Sequence, residues 1–188
     1  DTKAAEFEQQ VPQEIKEVRK NEIMEIQQQI AFAYCKELVK VHLPNNISGI
    51  YDSMFRDCSK LTKINIPATV TILGSRAFNG CSSLCKLDYL GNITSIEQYT
   101  FAGCTSLIWL RIPSTCTFIA KYSFEHCDAL TTLIVEAITP PTIEMYTINV
   151  VPELKIYVPD ASVNTYKNNN LWSQYANRIY ALSSLSVE

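Results

Sequence analysis

The sequence has few glycines and histidines and no strong excess of either charge. It contains five glycines and two histidines among 188 residues, and the net charge is −3. No Gly-rich phosphate loop can be recognised, and a basic stripe of the kind that nucleic-acid binding requires is absent. His42 and His126 lie far apart in the chain, which disfavours a metal centre. We therefore expect no nucleic-acid partner, no cofactor and no metal.

Long apolar runs are also missing. No stretch approaches the roughly 20 residues that a transmembrane helix needs, so no membrane span is expected. The chain opens on polar residues from Asp1, with no signal peptide in this numbering. We expect that a leader either preceded Asp1 and was removed or did not exist. The composition, with 47% apolar and 19% charged residues, is that of an ordinary globular domain.

The dominant feature of the sequence is a fixed period, equal to the step from position 32 to position 55. The stretch Ala77–Tyr99 spans one such period. Three residue types each recur five times at this step. They are Phe32, Phe55, Phe78, Phe101 and Phe124; Cys35, Cys58, Cys81, Cys104 and Cys127; and Leu38, Leu61, Leu84, Leu107 and Leu130. Self-similarity at a fixed period of this length indicates a solenoid.

Each repeat predicts two short strands. Residues 64–66 alternate apolar and polar side chains, and Pro67 ends that strand because proline cannot donate to a ladder. Residues 70–72 form a second short alternation, and Gly74 permits the turn that follows. One repeat cannot bury both of its apolar edges, so neighbouring repeats must stack. We predict a β-rich solenoid with short helical caps at both ends.

Three segments are expected. Residues 1–30, rich in Glu, Gln and Lys, predict a polar N-terminal cap built from a helix and a degenerate half-repeat. Residues 31–136 hold five regular repeats. Residues 137–188 predict a degenerate sixth repeat, with a strand at 154–159, and a C-terminal helical cap. Asp160 is the expected N-cap of its first helix, residues 171–179 have helix-like spacing, and Trp172 is expected to pack over the last repeat.

The chemistry of the cysteines is predicted to be structural. The five in the repeat frame should form an inward column with a spacing of about 4.8 Å, and parallel side chains have the wrong direction for disulfides. We predict buried free thiols. His126 precedes Cys127, but neighbours in a strand face opposite sides, which argues against a thiol–imidazole pair. Cys81 and Cys85 lack the ligand count of a zinc site. No catalytic residues are predicted, so we expect that the protein is not an enzyme.

Alternation along the main strands predicts two outward columns, which are the natural binding face of a solenoid. The first column is Lys40, Lys63, Lys86, Trp109 and Thr132, and the second is His42, Asn65, Asp88, Arg111 and Ile134. An outward Trp beside an Arg is a pairing enriched at interface hot spots, although Trp109 could instead cover the sheet near Ile134. The stacked lysines either attract an acidic partner or splay into solvent. Tyr99 and Tyr122 share a further column, where stacking is favoured over ligand binding.

The repeat unit contains an AF-x-x-C-x-x-L segment, a strand ending in I-x-I-P and a V-T-x-I-G connection. Residues Phe55–Pro67 and Val70–Phe78 carry these motifs almost in full, and Thr-Pro-Pro at 139–141 and the strand at 156–159 match the usual ending. With them the chain resembles leucine-rich repeats of the BspA-like type. Leu90 and Glu136 depart from the pattern by replacing the strand-ending proline.

The resemblance implies a right-handed leucine-rich-repeat superhelix and a surface-exposed or secreted protein of Bacteroides-type bacteria. Such a protein is expected to mediate adhesion or protein–protein interaction, with a host or bacterial surface protein as the partner, and no catalytic residues come with the family. Two alternatives stay open, which are a glycan-binding accessory protein of a polysaccharide-use system and an architectural module of the cell envelope. The fold itself supplies only a surface.

Overall fold

The computed structural model of the protein describes residues 32–148 and 153–185. These residues form a β-solenoid in which each turn contributes a main strand and a second, shorter strand, with little helix. The predicted solenoid is thereby confirmed. The N-terminal cap predicted for residues 1–30 lies outside the described residues.

The main strands stack in parallel with a constant step. They are β1 (Lys40–His42), β3 (Lys63–Asn65), β5 (Lys86–Leu87), β7 (Trp109–Ile112), β9 (Thr132–Val135), β11 (Lys155–Val158) and β12 (Ile179–Ala181). The strands β5, β7, β9, β11 and β12 form one sheet, and β1 pairs with β3 alone. Facing residues of these strands are one repeat apart, as for Lys86 opposite Trp109 and Ile156 opposite Ile179.

The second strands form a parallel ladder on the other side of the core. They are β2 (Gly49–Ile50), β4 (Ile72–Leu73), β6 (Ser95–Ile96), β8 (Phe118–Ile119) and β10 (Thr142–Ile143). Facing residues of β2 and β4, and of β6 and β8, are one repeat apart, as in the main strands. In the last pair Thr142 faces Phe118, which is one residue more than a repeat. The main sheet keeps its step from Trp109 to Thr132, so the extra residue lies between β9 and β10.

The core is built from columns of identical side chains. The five repeat phenylalanines stack with ring centroids 5.3–5.8 Å apart. Beside them, the thiols of four repeat cysteines each donate to the carbonyl oxygen of a phenylalanine 26 residues earlier, at 3.0–3.2 Å. That carbonyl also accepts the N–H of the cysteine three residues after it, as in Cys81 to Phe78. The cysteine is therefore both a small hydrophobe and the donor for a second lone pair.

All described cysteines are free, and the predicted burial holds for Cys58, Cys81, Cys104 and Cys127. Cys35 is exposed, which corrects the expectation of five buried thiols. Cys35 belongs to the first turn of the described stack, and the residues one repeat before it lie outside the described part of the chain.

Aromatic side chains of the C-terminal segment pack against the end of the stack. The segment contains a 3-10 turn (Asp160–Ser162), helix α1 (Val163–Lys167), a 3-10 helix (Ser173–Arg178), β12 and a 3-10 turn (Leu182–Ser184). Trp172 is fully buried and its Nε1 donates to the carbonyl oxygen of Pro141 at 2.7 Å. The Tyr166 hydroxyl donates to the carbonyl oxygen of Ala137, also at 2.7 Å. Buried polar atoms are thus paired where the apolar column ends.

Two details of this segment differ from expectation. Asp160 makes no side-chain cap, because its Oδ1 accepts the backbone N–H of Ser183 at 3.0 Å instead. Ile179 is not helical but begins β12, opposite Ile156. The helix-like spacing at 171–179 holds as far as the 3-10 helix that ends at Arg178, and from Ile179 the backbone groups pair with the edge of the sheet at β11.

We expect that Cys104→Ala lowers the free energy of unfolding by about 1–3 kcal/mol, because it opens a cavity and leaves a buried lone pair of Phe78 without its donor. Cys85→Ala is the matched control, since Cys85 is exposed and should change stability by less than about 0.5 kcal/mol. Urea denaturation followed by circular dichroism measures both. Equal stabilities would refute the structural role of the thiol column.

Burial raises the pKa of Cys58 from 9.0 to about 11 and that of Cys127 to about 12. A raised pKa removes the thiolate, which is the reactive form. At pH 8 we therefore expect Ellman's reagent to modify Cys35 and Cys85 rapidly in the native protein and all seven cysteines after denaturation. Rapid native reaction of Cys104 would contradict the burial of the column.

Candidate binding surface on the outer face of the main sheet

Strand pairing aligns outward side chains in two columns. In the first, Lys40 faces Lys63, and Lys86, Trp109, Thr132 and Lys155 face one another in turn. In the second, His42 faces Asn65, and Arg111, Ile134, Tyr157 and Tyr180 face one another in turn, while Asp88 stands one repeat before Arg111. The strands β3 and β5 do not pair, so each column is interrupted between them.

The lysines of the first column differ in their surroundings. Lys40 and Lys63 face each other on β1 and β3, are exposed, and have no ion-pair partner in the described part of the chain. The Nζ of Lys86 lies 3.1 Å from Asp88 and 5.1 Å from the ring centroid of Trp109. An exposed ion pair such as Lys86–Asp88 stabilises the fold by at most about 1 kcal/mol. Because Lys40 and Lys63 have no such partner in the described residues, this end of the column carries a net positive charge.

Asn65 and Arg111 have partners within the fold. Asn65 Oδ1 accepts the N–H of Leu43 at 2.9 Å, and its Nδ2 donates to the carbonyl oxygen of Leu43 at 3.3 Å. The side-chain amide of Asn65 thus extends the hydrogen bonding between β1 and β3 by one residue, to Leu43. Arg111 Nη1 lies 2.6 Å from Glu136 Oε1, and Glu136 stands where other repeats have the strand-ending proline. His42 is exposed at the end of the second column.

The expectation that Ile134 lies on an open outward face is wrong. Ile134 is 0% exposed, yet it is not part of the apolar cluster between the two ladders. Tyr157, the next residue of its column, is 8% exposed and also outside that cluster. The C-terminal turn approaches this part of the face, since Ser184 borders a cleft together with Trp109 and Tyr157. Strand alternation reports the side on which a residue lies, but not what later covers it.

A cleft of about 710 Å³ opens on this part of the face. It is lined by Trp109, Thr132, Glu153, Lys155, Tyr157 and the C-terminal turn at Ser184. The indole nitrogen Nε1 of Trp109 is buried and has no hydrogen-bond partner in the described chain. Of the lining residues, Trp109 and Thr132 belong to the first outward column predicted from sequence. Extending the columns by one further repeat from Thr132 and Ile134 would have identified Lys155 and Tyr157.

A stack of aromatic rings follows a different edge of the solenoid. Tyr99, Tyr122 and Tyr146 stack with centroids 5.3 and 5.8 Å apart, and the guanidinium of Arg76 lies 5.0 Å from the Tyr99 ring. All four residues have positive φ, between 57° and 64°. This conformation costs about 1–2 kcal/mol per residue, while stacking contributes about 0.5–1.5 kcal/mol per pair. Stacking of the rings therefore offsets part of the cost of the positive φ angles. This agrees with the prediction from sequence that Tyr99 and Tyr122 stack on each other rather than bind a ligand.

The His126–Cys127 dipeptide lacks the features of a catalytic pair. His126 is exposed, with φ at 56°, whereas Cys127 is buried and burial raises its pKa to about 12. A nucleophilic cysteine requires a lowered pKa. Within the described ranges no group of His, Cys, Asp and Glu is arranged to hold a metal ion. Those ranges also contain no helix that is long and apolar enough to span a membrane.

Residues 11–172 match, in six copies, a family model described as the BspA type leucine rich repeat region. A leucine rich cell surface protein from Faecalibacterium prausnitzii A2-165 is 25% identical with a TM-score of 0.57, and the match covers 78% of this chain and 36% of that one. This chain thus spans about a third of that protein. The T. pallidum leucine rich repeat protein is 22% identical with a TM-score of 0.59, over 78% and 72% of the two chains. No curated protein matches. These likenesses confirm the predicted fold.

We expect that Asn65→Ala lowers the free energy of unfolding by about 1–2 kcal/mol, because two hydrogen bonds to Leu43 are lost. Asn65→Asp should also destabilise, since it replaces the donor with a carboxylate oxygen near the Leu43 carbonyl. Lys63→Gln, on the same strand but without a partner in the described chain, is the control. Thermal unfolding measures the stability of all three variants. If Asn65→Ala were as stable as Lys63→Gln, the two hydrogen bonds between Asn65 and Leu43 would not stabilise the fold.

Proposed function

This chain belongs to the BspA-type leucine-rich repeat family, and we propose that it is a non-catalytic protein that mediates adhesion or protein–protein interaction at the cell surface or after secretion. Stacked repeats offer an extended surface whose function depends on the side chains displayed. The partner we propose is a protein on a host or bacterial surface.

The observation that carries this proposal is the column Lys40, Lys63, Lys86 and Trp109, in which Lys40 faces Lys63 and Lys86 faces Trp109. Its cationic end would attract an acidic patch and accelerate the encounter with a partner. Trp109, which is half-buried beside Arg111, would then supply the apolar anchor, since Trp and Arg are enriched at binding hot spots. Asp88, Asn65 and His42 form the polar surroundings of the same face.

The proposed location is supported by the description of the Faecalibacterium relative as a cell surface protein. Because this chain spans 36% of that relative, its own location is part of the proposal. Brief protease treatment of intact cells of the source organism tests it. The protein should be degraded while a cytoplasmic marker survives, and its protection alongside that marker would exclude an exposed location.

We expect the protein to bind at least one member of a panel of purified host extracellular matrix proteins in a solid-phase assay. Trp109→Ala should weaken that binding about tenfold or more, as truncation of a hot spot does. Lys40→Gln with Lys63→Gln should weaken it at low salt more than at high salt, since screening already suppresses their contribution at high ionic strength. Tyr99→Phe, on another edge, is the matched control. Binding that Trp109→Ala and Arg111→Ala leave intact would exclude this face.

A further inference from the structure

We propose that the protein forms an antiparallel two-fold dimer through the edge of the solenoid at which its main strands begin. The partner is a second copy of this chain. The inference does not rest on the adhesion role proposed above. It rests on an exposed apolar strip along that edge and on the order of the charges beside the strip.

One residue of each repeat lies directly before the main strand, and these residues form the strip. In chain order they are Val39, Thr62, Cys85, Ile108 and Thr131. Backbone hydrogen bonds join Thr62 to Val39, Ile108 to Cys85 and Thr131 to Ile108. Thr62 and Cys85 stand one repeat apart, at the break between β3 and β5. At a strand spacing of about 4.8 Å the strip is about 19 Å long.

The strip is apolar although two of its members are threonines. Val39 is 46% exposed and Ile108 is 51% exposed, and Cys85 is exposed as well. The hydroxyl of Thr62 donates to the carbonyl oxygen of Val39 at 3.1 Å, and that of Thr131 donates to the carbonyl oxygen of Ile108 at 3.5 Å. Because the backbone of the strip binds both hydroxyls, the methyl groups are left for a partner. Apolar residues exposed in a row, rather than singly, mark an interaction site.

The central position of Cys85 determines which symmetry the strip can have. Two members of the strip precede Cys85 and two follow it. A two-fold axis beside Cys85 and perpendicular to the strip places each column of one copy against the same column of the other, in reverse order of repeats. Ile108 then meets Thr62 of the partner subunit, and Cys85 meets its own counterpart.

The charges beside the strip select this antiparallel order. The neighbouring column begins with Lys36 and ends with Asp128, and the positions between them are Ser59, Ser82 and Thr105. Lys36 and Asp128 are exposed, and neither makes an ion pair within the described residues. The antiparallel two-fold places Lys36 opposite Asp128 of the partner subunit, twice in each dimer. A parallel two-fold would instead place each charge against its own kind, which is unfavourable.

Lys86 follows Cys85 and therefore lies near the proposed axis, where it approaches its own counterpart. Its Nζ lies 3.1 Å from Asp88, so the charge that the two copies bring together there is partly neutralised. The strip is short, and small interfaces are characteristic of transient association. We therefore expect a reversible dimer, whose two outer faces would raise the avidity for a surface that displays many copies of a partner.

Sedimentation velocity between about 10 μM and 1 mM protein is the first measurement. We expect the dimer to increase with concentration in the reduced protein. Ile108→Asp should weaken association at least tenfold, because it places a charge in the apolar contact. Ile72→Asp is the matched control, since Ile72 is 47% exposed but lies on the ladder of second strands. Thermal melting followed by circular dichroism shows whether both variants fold.

Exchange of the two charges tests the order of the repeats without altering the apolar strip. Lys36→Asp and Asp128→Lys should each weaken the dimer severalfold, because each occurs twice in the interface. The double variant should regain the association of the unaltered protein, because it restores opposite charges at both places. In a Cys35→Ser background, which leaves Cys85 as the exposed thiol among the described cysteines, a short bifunctional maleimide should join two copies through Cys85.

A protein that stays monomeric up to about 1 mM would overturn the proposal. So would a dimer that Ile108→Asp weakens no more than Ile72→Asp does, or a double charge variant that associates no better than the single variants. Failure of this inference is distinct from failure of the proposed function. Matrix-protein binding by a monomer removes only the dimer, and a dimer that binds no matrix protein removes only the adhesion role.

Discussion

Parallel stacking at a constant step of one repeat is the constraint on which the structure depends. Each side chain of the main sheet stands over its counterpart in the repeat before, so identical residues must tolerate one another at the strand spacing of about 4.8 Å. Phenylalanine does so by stacking. Cysteine does so because each thiol bonds to a carbonyl of the turn before rather than to the thiol above it. Lysine tolerates repetition only in solvent, where its charge is screened.

Departures from the repeat are consequently the places where the surface acquires individual character. Glu136 replaces a proline and pairs with Arg111 on the neighbouring strand. Thr132 replaces the long side chains that precede it in the column and leaves a depression beside Trp109. The core cannot vary in this way, because one altered ring would disturb both of its neighbours. The chemistry that distinguishes one part of this surface from another is therefore found at outward positions where consecutive repeats differ.

The periodicity of the sequence was sufficient to predict the fold, the register of β11 and the outward columns, because each follows from local pattern and the repeat step. It did not reveal that Ile134 is buried, because alternation gives the side of the sheet on which a residue lies and not what packs on that side. Asp160 was misassigned for a similar reason: its partner, Ser183, is distant in sequence. The strand β12 is also encoded in the repeat step, because Ile179 stands one repeat after Ile156. The apolar residues at 171–179 have helix-like spacing as well, and this second pattern favoured a helix at Ile179.

Trp109 joins the two parts of the outer face, and its chemistry distinguishes it from a residue that merely covers the sheet. A phenylalanine at this position could cover apolar surface and receive the Lys86 ammonium without burying a polar atom. The indole instead buries an N–H that finds no acceptor in the described chain. A buried donor without a partner costs about 1–3 kcal/mol, a cost that phenylalanine would not carry. Trp109 is thus the position where the outer face of the main sheet departs most from the simple alternation of apolar core and solvated surface that the repeat otherwise keeps.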